Sequence, residues 1–185
     1  SSCSTLDFDL SPSEKESIKK IVAPWFERIT TNKEIVVAVV QQNEVNKTKS
    51  PNQLTKIDEQ WQLAFNVGNF NFPKAIVNQA LVRVLKQISV DSKELLSEII
   101  VMDERGYNVA MLDMTSDYWQ GDENKFTQVY AKTAQTLYFD QIKYDASSRR
   151  FQVQVSAPLL DPKNKTAIGA ITLGLDVDKA LSHID

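Results

Sequence analysis

The stretch EIIVMDERGYNVAMLDMTSDYWQGDENKF, residues 98–126, decides the fold, because here the hydrophobic pattern of the chain changes from helical spacing to strands. Residues 98–102, apolar from residue 99 onward, are typical of a strand, and residues 103–106 end in a glycine, as tight turns often do. Residues 108–113 then return as a second strand. The stretch therefore predicts a β-hairpin at the start of an antiparallel sheet.

The second half of this stretch, residues 116–123, mixes aromatic and acidic side chains. A core favours aromatics without charges and a solvated loop favours charges without aromatics, whereas a pocket for a small polar ligand uses both. Tyr118 and Trp119 therefore form either an aromatic plug between loop and sheet or the wall of a pocket. Because neighbouring strand residues face opposite ways, only one of them is expected to line that pocket. Asp122 is expected to cap the next helix rather than contact a ligand.

Three further strands are predicted at residues 137–145, 150–158 and 166–176, with a short helix at residues 123–132 before them. Along the third strand Tyr138, Asp140 and Tyr144 share one parity, so all three are expected to face the pocket. Asp145 has the opposite parity and is assigned to the following turn.

The half of the chain before residue 98 predicts helices. Residues 1–11 show no period and are interpreted as a tether, and residues 11–14 (Ser-Pro-Ser-Glu) are a capping box. Apolar residues then follow at helical spacing to about residue 47, with a break expected near Pro24 or residues 30–32. Two more helices are expected at residues 51–65 and 76–88. Helices followed by an antiparallel meander predict a single α+β domain over residues 12–185.

The composition argues against several functions. A net charge of −3 and a pI near 5.3 leave no basic excess for nucleic acid. The apolar runs are too short to cross a bilayer. His183 is the single histidine, so histidine-based catalysis or zinc binding would rest on a residue near the end of the sequence, and no phosphate-binding glycine pattern occurs. The chain is therefore expected to be non-catalytic, without metal or cofactor.

Cys3 is the one cysteine, so no internal disulfide is available. The surrounding Ser-Ser-Cys-Ser resembles the end of a bacterial lipoprotein signal, which makes Cys3 a candidate for lipidation. The alternative is an ordinary thiol in a frayed terminus.

Taken together, residues 98–126, the run IKYDASSRRFQVQVSAPLLD at residues 142–161 and the run AIGAITLGLDV at residues 167–177 resemble the Cache (PAS-like, PDC) sensor domains of bacteria. The shared features are a strand ending in Asp before a turn with Gly, a Ser-Ala-Pro at residues 156–158, the form of the last strand, and an Ile-Asp-x-x-Trp pattern at residues 57–61. The resemblance covers residues 12–181.

The resemblance implies a PAS-like five-stranded antiparallel sheet with a long N-terminal helix and further helices packed on it. It also implies a periplasmic or extracytoplasmic location, a small polar ligand on one face of the sheet, and signal transduction through a membrane-bound partner, with occupancy reported by the N-terminal helix and the last strand. An alternative within the same fold is a protein-interaction module with a filled pocket.

One departure from the family concerns the ligand. Members that bind amino acids have an arginine two residues before a Trp-Tyr pair, where it clamps the ligand carboxylate. Here residues 115–117 (Thr-Ser-Asp) precede Tyr118 and Trp119, and the acidic surroundings favour a ligand with an amine. Asp117 and Asp140 are its expected anchors, and Asp117→Asn is expected to weaken amine binding by about 1–3 kcal/mol. The apolar face of the first helix also suggests a homodimer through the N-terminal helices.

Overall fold

In the computed structural model, which describes residues 7–182, five helices precede a meandering sheet. Cys3, and with it the expected lipidation site, lies outside the described residues. The elements are α1 (Pro12–Thr30), α2 (Lys33–Lys47), α3 (Pro51–Asn66), α4 (Asn71–Ile76), α5 (Gln79–Asp91), β1 (Leu96–Asp103), β2 (Asn108–Met111), α6 (Asn124–Thr127), β3 (Tyr138–Phe139), β4 (Lys143–Asp145), β5 (Arg150–Leu160), β6 (Ala167–Asp176) and α7 (Val177–Leu181).

Side-chain caps set the bounds of the first two helices. The predicted capping box is confirmed: the Glu14 amide donates to Ser11 Oγ at 3.1 Å, and the Ser11 amide donates to Glu14 Oε1 at 2.8 Å. Pro24 lies inside α1. The break falls after Thr30, where Asn32 caps α2 by accepting from the Ile35 amide at 3.0 Å. Residues 35–40, although rich in β-branched side chains, therefore belong to a helix, in agreement with the helical spacing predicted to about residue 47.

The sheet is antiparallel throughout, in the order β2-β1-β6-β5, with both β3 and β4 paired to the outer side of β5. The predicted α+β fold with five strand positions is confirmed. The third predicted strand is interrupted at residues 140–142, which divides it into β3 and β4. Because side chains alternate along a strand, this interruption changes which residues face the site described below.

Helices α1, α2 and α5 cover one face of the sheet and form the main core with the side chains that point to that face. On the opposite face, a second apolar cluster brings α3 and α6 against only part of the sheet. Its largest members are Trp61, Ile100, Met102, Tyr118 and Phe126. The remainder of that face stays uncovered. Within residues 7–182, none of the helices combines the length and apolar character needed to cross a membrane.

A buried carboxylate, Asp103, joins the β1–β2 turn to α2. The residue is 1% exposed, and its Oδ1 accepts from the backbone amides of Arg105 and Tyr107 at 2.9 and 3.0 Å. Its Oδ2 accepts from the side-chain amides of Gln42 and Asn46, both at 2.9 Å. Burial raises the pKa of Asp103, and these four hydrogen bonds act in the opposite direction.

Candidate functional site

An open groove of about 910 Å³ occupies the uncovered part of the sheet face. Glu98 of β1, Gln152 and Gln154 of β5 and Gly174 of β6 contribute from the middle of the sheet. A Cβ at Gly174 would lie 2.6 Å from the Cβ of Glu98, so only glycine fits beside this side chain. Apart from Ser97 of β1, the other contributors come from two segments at the sides of the groove: residues 113–125, in the loop after β2 and the start of α6, and residues 140–148.

The groove is strongly acidic. Six carboxylates line it, against two lysines, which gives a formal excess of four negative charges. The carboxylates are Glu98, Asp113, Asp122, Glu123, Asp140 and Asp145, and the lysines are Lys125 and Lys143. Such a concentration of one sign of charge attracts ligands of the opposite sign.

Pairing within the groove neutralises only part of this charge. Lys125 Nζ lies 3.3 Å from Glu123 Oε2. Lys143 Nζ lies 3.9 Å from Asp140 Oδ2, at the outer limit of an ion pair. Neither Asp113 nor Asp122 has an ion pair or a side-chain hydrogen bond with any other described residue. Among the described residues, no three side chains of metal-ligand type converge on one point. The carboxylates are thus distributed along the groove.

Neutral side-chain donors hold two of the groove carboxylates, Asp145 and Glu98, in place. The hydroxyls of Ser148 and Ser147 each donate to Asp145 at 2.8 Å and lower its pKa. The Gln154 side-chain amide donates to Glu98. Neutral donors fix the orientation of a carboxylate without removing its charge, so both groups remain available to a cation.

Tyr118 does not line the groove. Its side chain is 2% exposed and stacks on Trp61, with ring centroids 5.3 Å apart and an interplanar angle of 29°. The ring centroid of Tyr107 lies 5.0 Å from that of Tyr118. Burial raises the pKa of the Tyr118 phenol. These three rings, Trp61, Tyr107 and Tyr118, form an aromatic plug that fills the part of the sheet face next to the groove.

Trp119 lies at the outer side of the plug, with its ring centroid 6.4 Å from that of Tyr107, and remains 36% exposed. Its indole N–H donates to the Arg105 carbonyl at 2.8 Å, and the ring leaves no room for a Cβ at Gly121. The adjacent backbone extends the sheet, since the Asn108 amide donates to the Tyr118 carbonyl at 3.0 Å. Trp119 therefore packs against the β1–β2 turn rather than forming a wall of the groove.

Helix α3 holds this loop through the Ile-Asp-x-x-Trp pattern. Asp58 Oδ1 accepts from the backbone amides of Tyr118 and Trp119, both at 3.0 Å. One helical turn later, the Trp61 indole N–H donates to the Thr115 carbonyl at 2.7 Å. The sequence showed this pattern only as a family feature, although its i, i+3 spacing places both side chains on one helix face.

We expect Asp58→Ala to lower the free energy of unfolding by about 1–2 kcal/mol, because two backbone amides lose their acceptor. Urea denaturation measures this change. Glu59→Ala is the matched control, since Glu59 is exposed on the same helix and should change stability by less than about 0.5 kcal/mol. Equal effects of the two substitutions would contradict the role of Asp58 in holding the loop.

The structure also keeps Asp117 out of the groove lining. Its backbone carbonyl accepts from the Thr115 hydroxyl and the Gln120 side-chain amide at 2.7 and 2.9 Å. Partial burial raises the pKa of the Asp117 carboxyl, and the nearby carboxylates, Asp58 foremost, raise it further. Asp117 thus belongs to the loop held by α3, outside the residues that line the groove.

Of the three residues expected on the third strand, the structure brings only Asp140 into the groove. Tyr138 packs against the second apolar cluster, and Tyr144 faces the other way, 5.3 Å from the Phe151 ring. The interruption between β3 and β4 shifts the alternation by one residue. As a result Asp145, which was assigned to the turn, lines the groove, and Tyr144 does not.

Known proteins are similar to this chain in fold only. No protein-family model matches the sequence, and no curated protein is close enough in sequence to count as a relative. The extracellular domain of the histidine kinase candidate vpHK1S-Z8 has a TM-score of 0.48 at 10% identity, and the sensor domain of the V. cholerae histidine kinase DctB has 0.45 at 14%. The ligand-binding domain of the Campylobacter jejuni chemoreceptor Tlp3, solved with L-valine, has 0.40 at 12%.

These structures are an extracellular domain and a sensor domain of histidine kinases and a ligand-binding domain of a chemoreceptor. The matches cover 92%, 91% and 94% of this chain but only 56%, 56% and 67% of the respective solved chains. This chain thus spans just over half the length of the two kinase domains. At such identities the similarities name neither a ligand nor a binding residue for it.

Proposed function

We propose that this chain is the non-catalytic, ligand-binding module of an extracytoplasmic sensor, and that it binds a small molecule with one or more ammonium groups in the acidic groove. The observation that carries the proposal is the excess of carboxylates over lysines in an open groove on the sheet face. The fold resemblance supports the assignment to sensors, and the charge of the groove supports the choice of ligand.

Asp140 is the first anchor in this proposal. Its ion-pair partner Lys143 lies 3.9 Å away, so an ammonium group of the ligand can replace it at small cost. Glu98, oriented by Gln154, offers a second acceptor from the middle of the sheet. Asp122 offers a third from the loop after β2. Because these carboxylates belong to separate elements, a diamine can contact more of them than a monoamine can.

The aromatic plug favours a second candidate, an interaction module of the same fold. Trp61 and Tyr118 fill the part of the sheet face beside the groove, as a module without a ligand would require. In this alternative the domain signals by contact with a membrane-bound partner, and the groove has no small-molecule role.

Two parts of the proposal concern assembly and location. Val37 and Val45 on α2 are 53% and 52% exposed, which supports a homodimer through the N-terminal helices. Cys3 remains the proposed anchor to a membrane surface. A membrane-bound signalling protein is the proposed partner in either candidate function.

A thermal-shift screen of small amines, amino acids and organic acids tests the proposal, because a ligand of the folded state raises Tm by mass action. We expect amines to raise Tm and Asp140→Asn to weaken their binding about 5- to 150-fold, the scale of a charge-assisted hydrogen bond. Asp117→Asn is the matched control, a nearby carboxylate outside the groove lining, and should bind as the wild type does. Stabilisation by no small molecule would favour the interaction module.

A further inference from the structure

The chain just before α1 is docked on the outer edge of the sheet. These residues, 7–10, are called the N-terminal segment. The Phe8 amide donates to the Ile142 carbonyl at 3.2 Å, and the Ile142 amide donates to the Phe8 carbonyl at 2.8 Å. The Phe8 ring lies 5.9 Å from that of Phe151. Leu10 is buried in the main core and connects the segment to α1.

The segment docks at the interruption of the third strand. The interruption at residues 140–142 together with Lys143, the first residue of β4, is called the strand break. The Asp140 amide still donates to the Gln154 carbonyl of β5 at 2.9 Å. Ile142, in contrast, exchanges its backbone hydrogen bonds with Phe8. The N-terminal segment thus supplies the pairing that β5 does not supply there.

The strand break also lines the groove. Asp140, Gln141 and Lys143 all contribute to the lining, while Ile142 points into the main core. Gln141 belongs to both surfaces, since its side-chain amide donates to Asp9 Oδ1 at 3.1 Å. The strand break therefore contacts the groove through Asp140, Gln141 and Lys143, and the N-terminal segment through Gln141 and Ile142.

We propose that occupancy of the groove is coupled to docking of the N-terminal segment on the strand break, so that a bound ligand strengthens the docking. The ligand in this coupling rests on the function proposed above. An ammonium group at Asp140 fixes the strand break, and a fixed strand break holds the amide and carbonyl of Ile142 in place for Phe8. Ligand binding and docking of the segment both require an ordered strand break. Whichever occurs first pays the entropic cost of ordering it, so the other becomes more favourable.

Such coupling is reciprocal: if docking of the segment changes the affinity for the ligand by some factor, the ligand changes the docking equilibrium by the same factor. Loss of the docked segment must therefore weaken the ligand. This route differs from the one that the family resemblance implies, in which the long helix and the last strand report occupancy. Here the signal passes through backbone pairing at the sheet edge, ahead of α1.

Hydrogen exchange of the Phe8 and Ile142 amides, followed by NMR, tests the groove side of the coupling without any ligand. Asp140→Ala removes the acceptor of the Gln141 amide and the partner of Lys143, and should accelerate exchange at both amides at least about fivefold. Asp122→Ala is the matched control, because it removes a groove carboxylate outside the strand break and should leave both rates unchanged. Unchanged rates in Asp140→Ala would overturn the coupling.

The second arm uses 1,4-diaminobutane as the probe. In the wild type it should slow exchange at Phe8 and Ile142 at least about threefold, and Phe8→Ala should weaken its binding by a similar factor. Phe70→Ala is the control: it removes another partly exposed aromatic ring and should leave binding of the diamine unchanged. Binding of the diamine without a change at Phe8 overturns the coupling and leaves the proposed function intact. If no amine binds while Asp140→Ala still releases Phe8, the coupling is supported and the amine assignment fails.

Discussion

Replacing Asp103 with alanine is expected to lower the free energy of unfolding by about 3–5 kcal/mol, one of the two largest effects that we predict. Four donors lose their acceptor in this variant: the amides of Arg105 and Tyr107 and the side chains of Gln42 and Asn46. Because Asp103 is almost fully buried, water cannot replace it without opening the turn. Urea denaturation at neutral pH measures the effect.

Asp103→Asn is the informative companion variant. It keeps an oxygen for the two backbone amides but presents an NH₂ group to the side-chain donors, so we expect a smaller loss, about 1–2 kcal/mol. Equal losses in the alanine and asparagine variants would show that the hydrogen bonds to the turn do not matter.

The difference in stability between the wild type and Asp103→Asn should depend on pH, in the direction that the pKa shift of Asp103 sets. Burial raises the pKa of Asp103, so the folded state holds this proton more tightly than the unfolded chain does. The part of Asp103's contribution to stability that depends on this proton is therefore full below the ordinary Asp value of about 3.9 and is lost as the pH rises through the raised pKa. Asp103→Asn does not titrate there. Its deficit relative to the wild type should shrink as the pH rises from about 4, and a deficit that grows would contradict the shift.

Trp61→Ala is expected to cost about 3–5 kcal/mol, the range of large-to-small substitutions of buried aromatics. The ring is fully buried in the second apolar cluster, and its removal leaves Tyr118 without its stacking partner. It also frees the Thr115 carbonyl, so the loop before α6 loses one of its attachments to α3. Urea denaturation gives the stability.

Trp61→Phe separates packing from the hydrogen bond. It retains an aromatic ring against Tyr118 but cannot donate to Thr115, and a loss of about 1–2 kcal/mol is expected. A loss in Trp61→Ala no larger than that in Trp61→Phe would mean that the plug contributes little by packing.

The sequence predicted most of the fold because helices and strands differ in hydrophobic period. The capping box at Ser11 and the turn around Gly106 fixed element boundaries. The interruption of the third strand was not predictable, since an alternation pattern assumes an unbroken strand. What stabilises the interruption is Phe8, which is far from Ile142 in the sequence and pairs with it only after folding.

The groove was less predictable, because its residues also come together only through pairing between distant parts of the chain. Glu98, Gln154 and Gly174 meet because strand pairing places Gly174 opposite both of the others, and no local pattern reports that register. Tyr118 beside acidic residues is compatible in the sequence with either an aromatic plug or a pocket wall. Its backbone amide is bound by Asp58 of α3, and its ring is buried against Trp61. Asp140 was predicted because the alternation holds up to the point of interruption.

Isothermal titration of 1,4-diaminobutane into the wild type and Asp140→Asn tests the central claim, that the acidic groove binds a small cationic ligand, most directly. We predict a single saturable site in the wild type, about 5- to 150-fold weaker in Asp140→Asn and weakened by added salt because the groove is open to solvent. Saturable binding that is identical in the two proteins, or no binding of the diamine to the wild type, would contradict the claim.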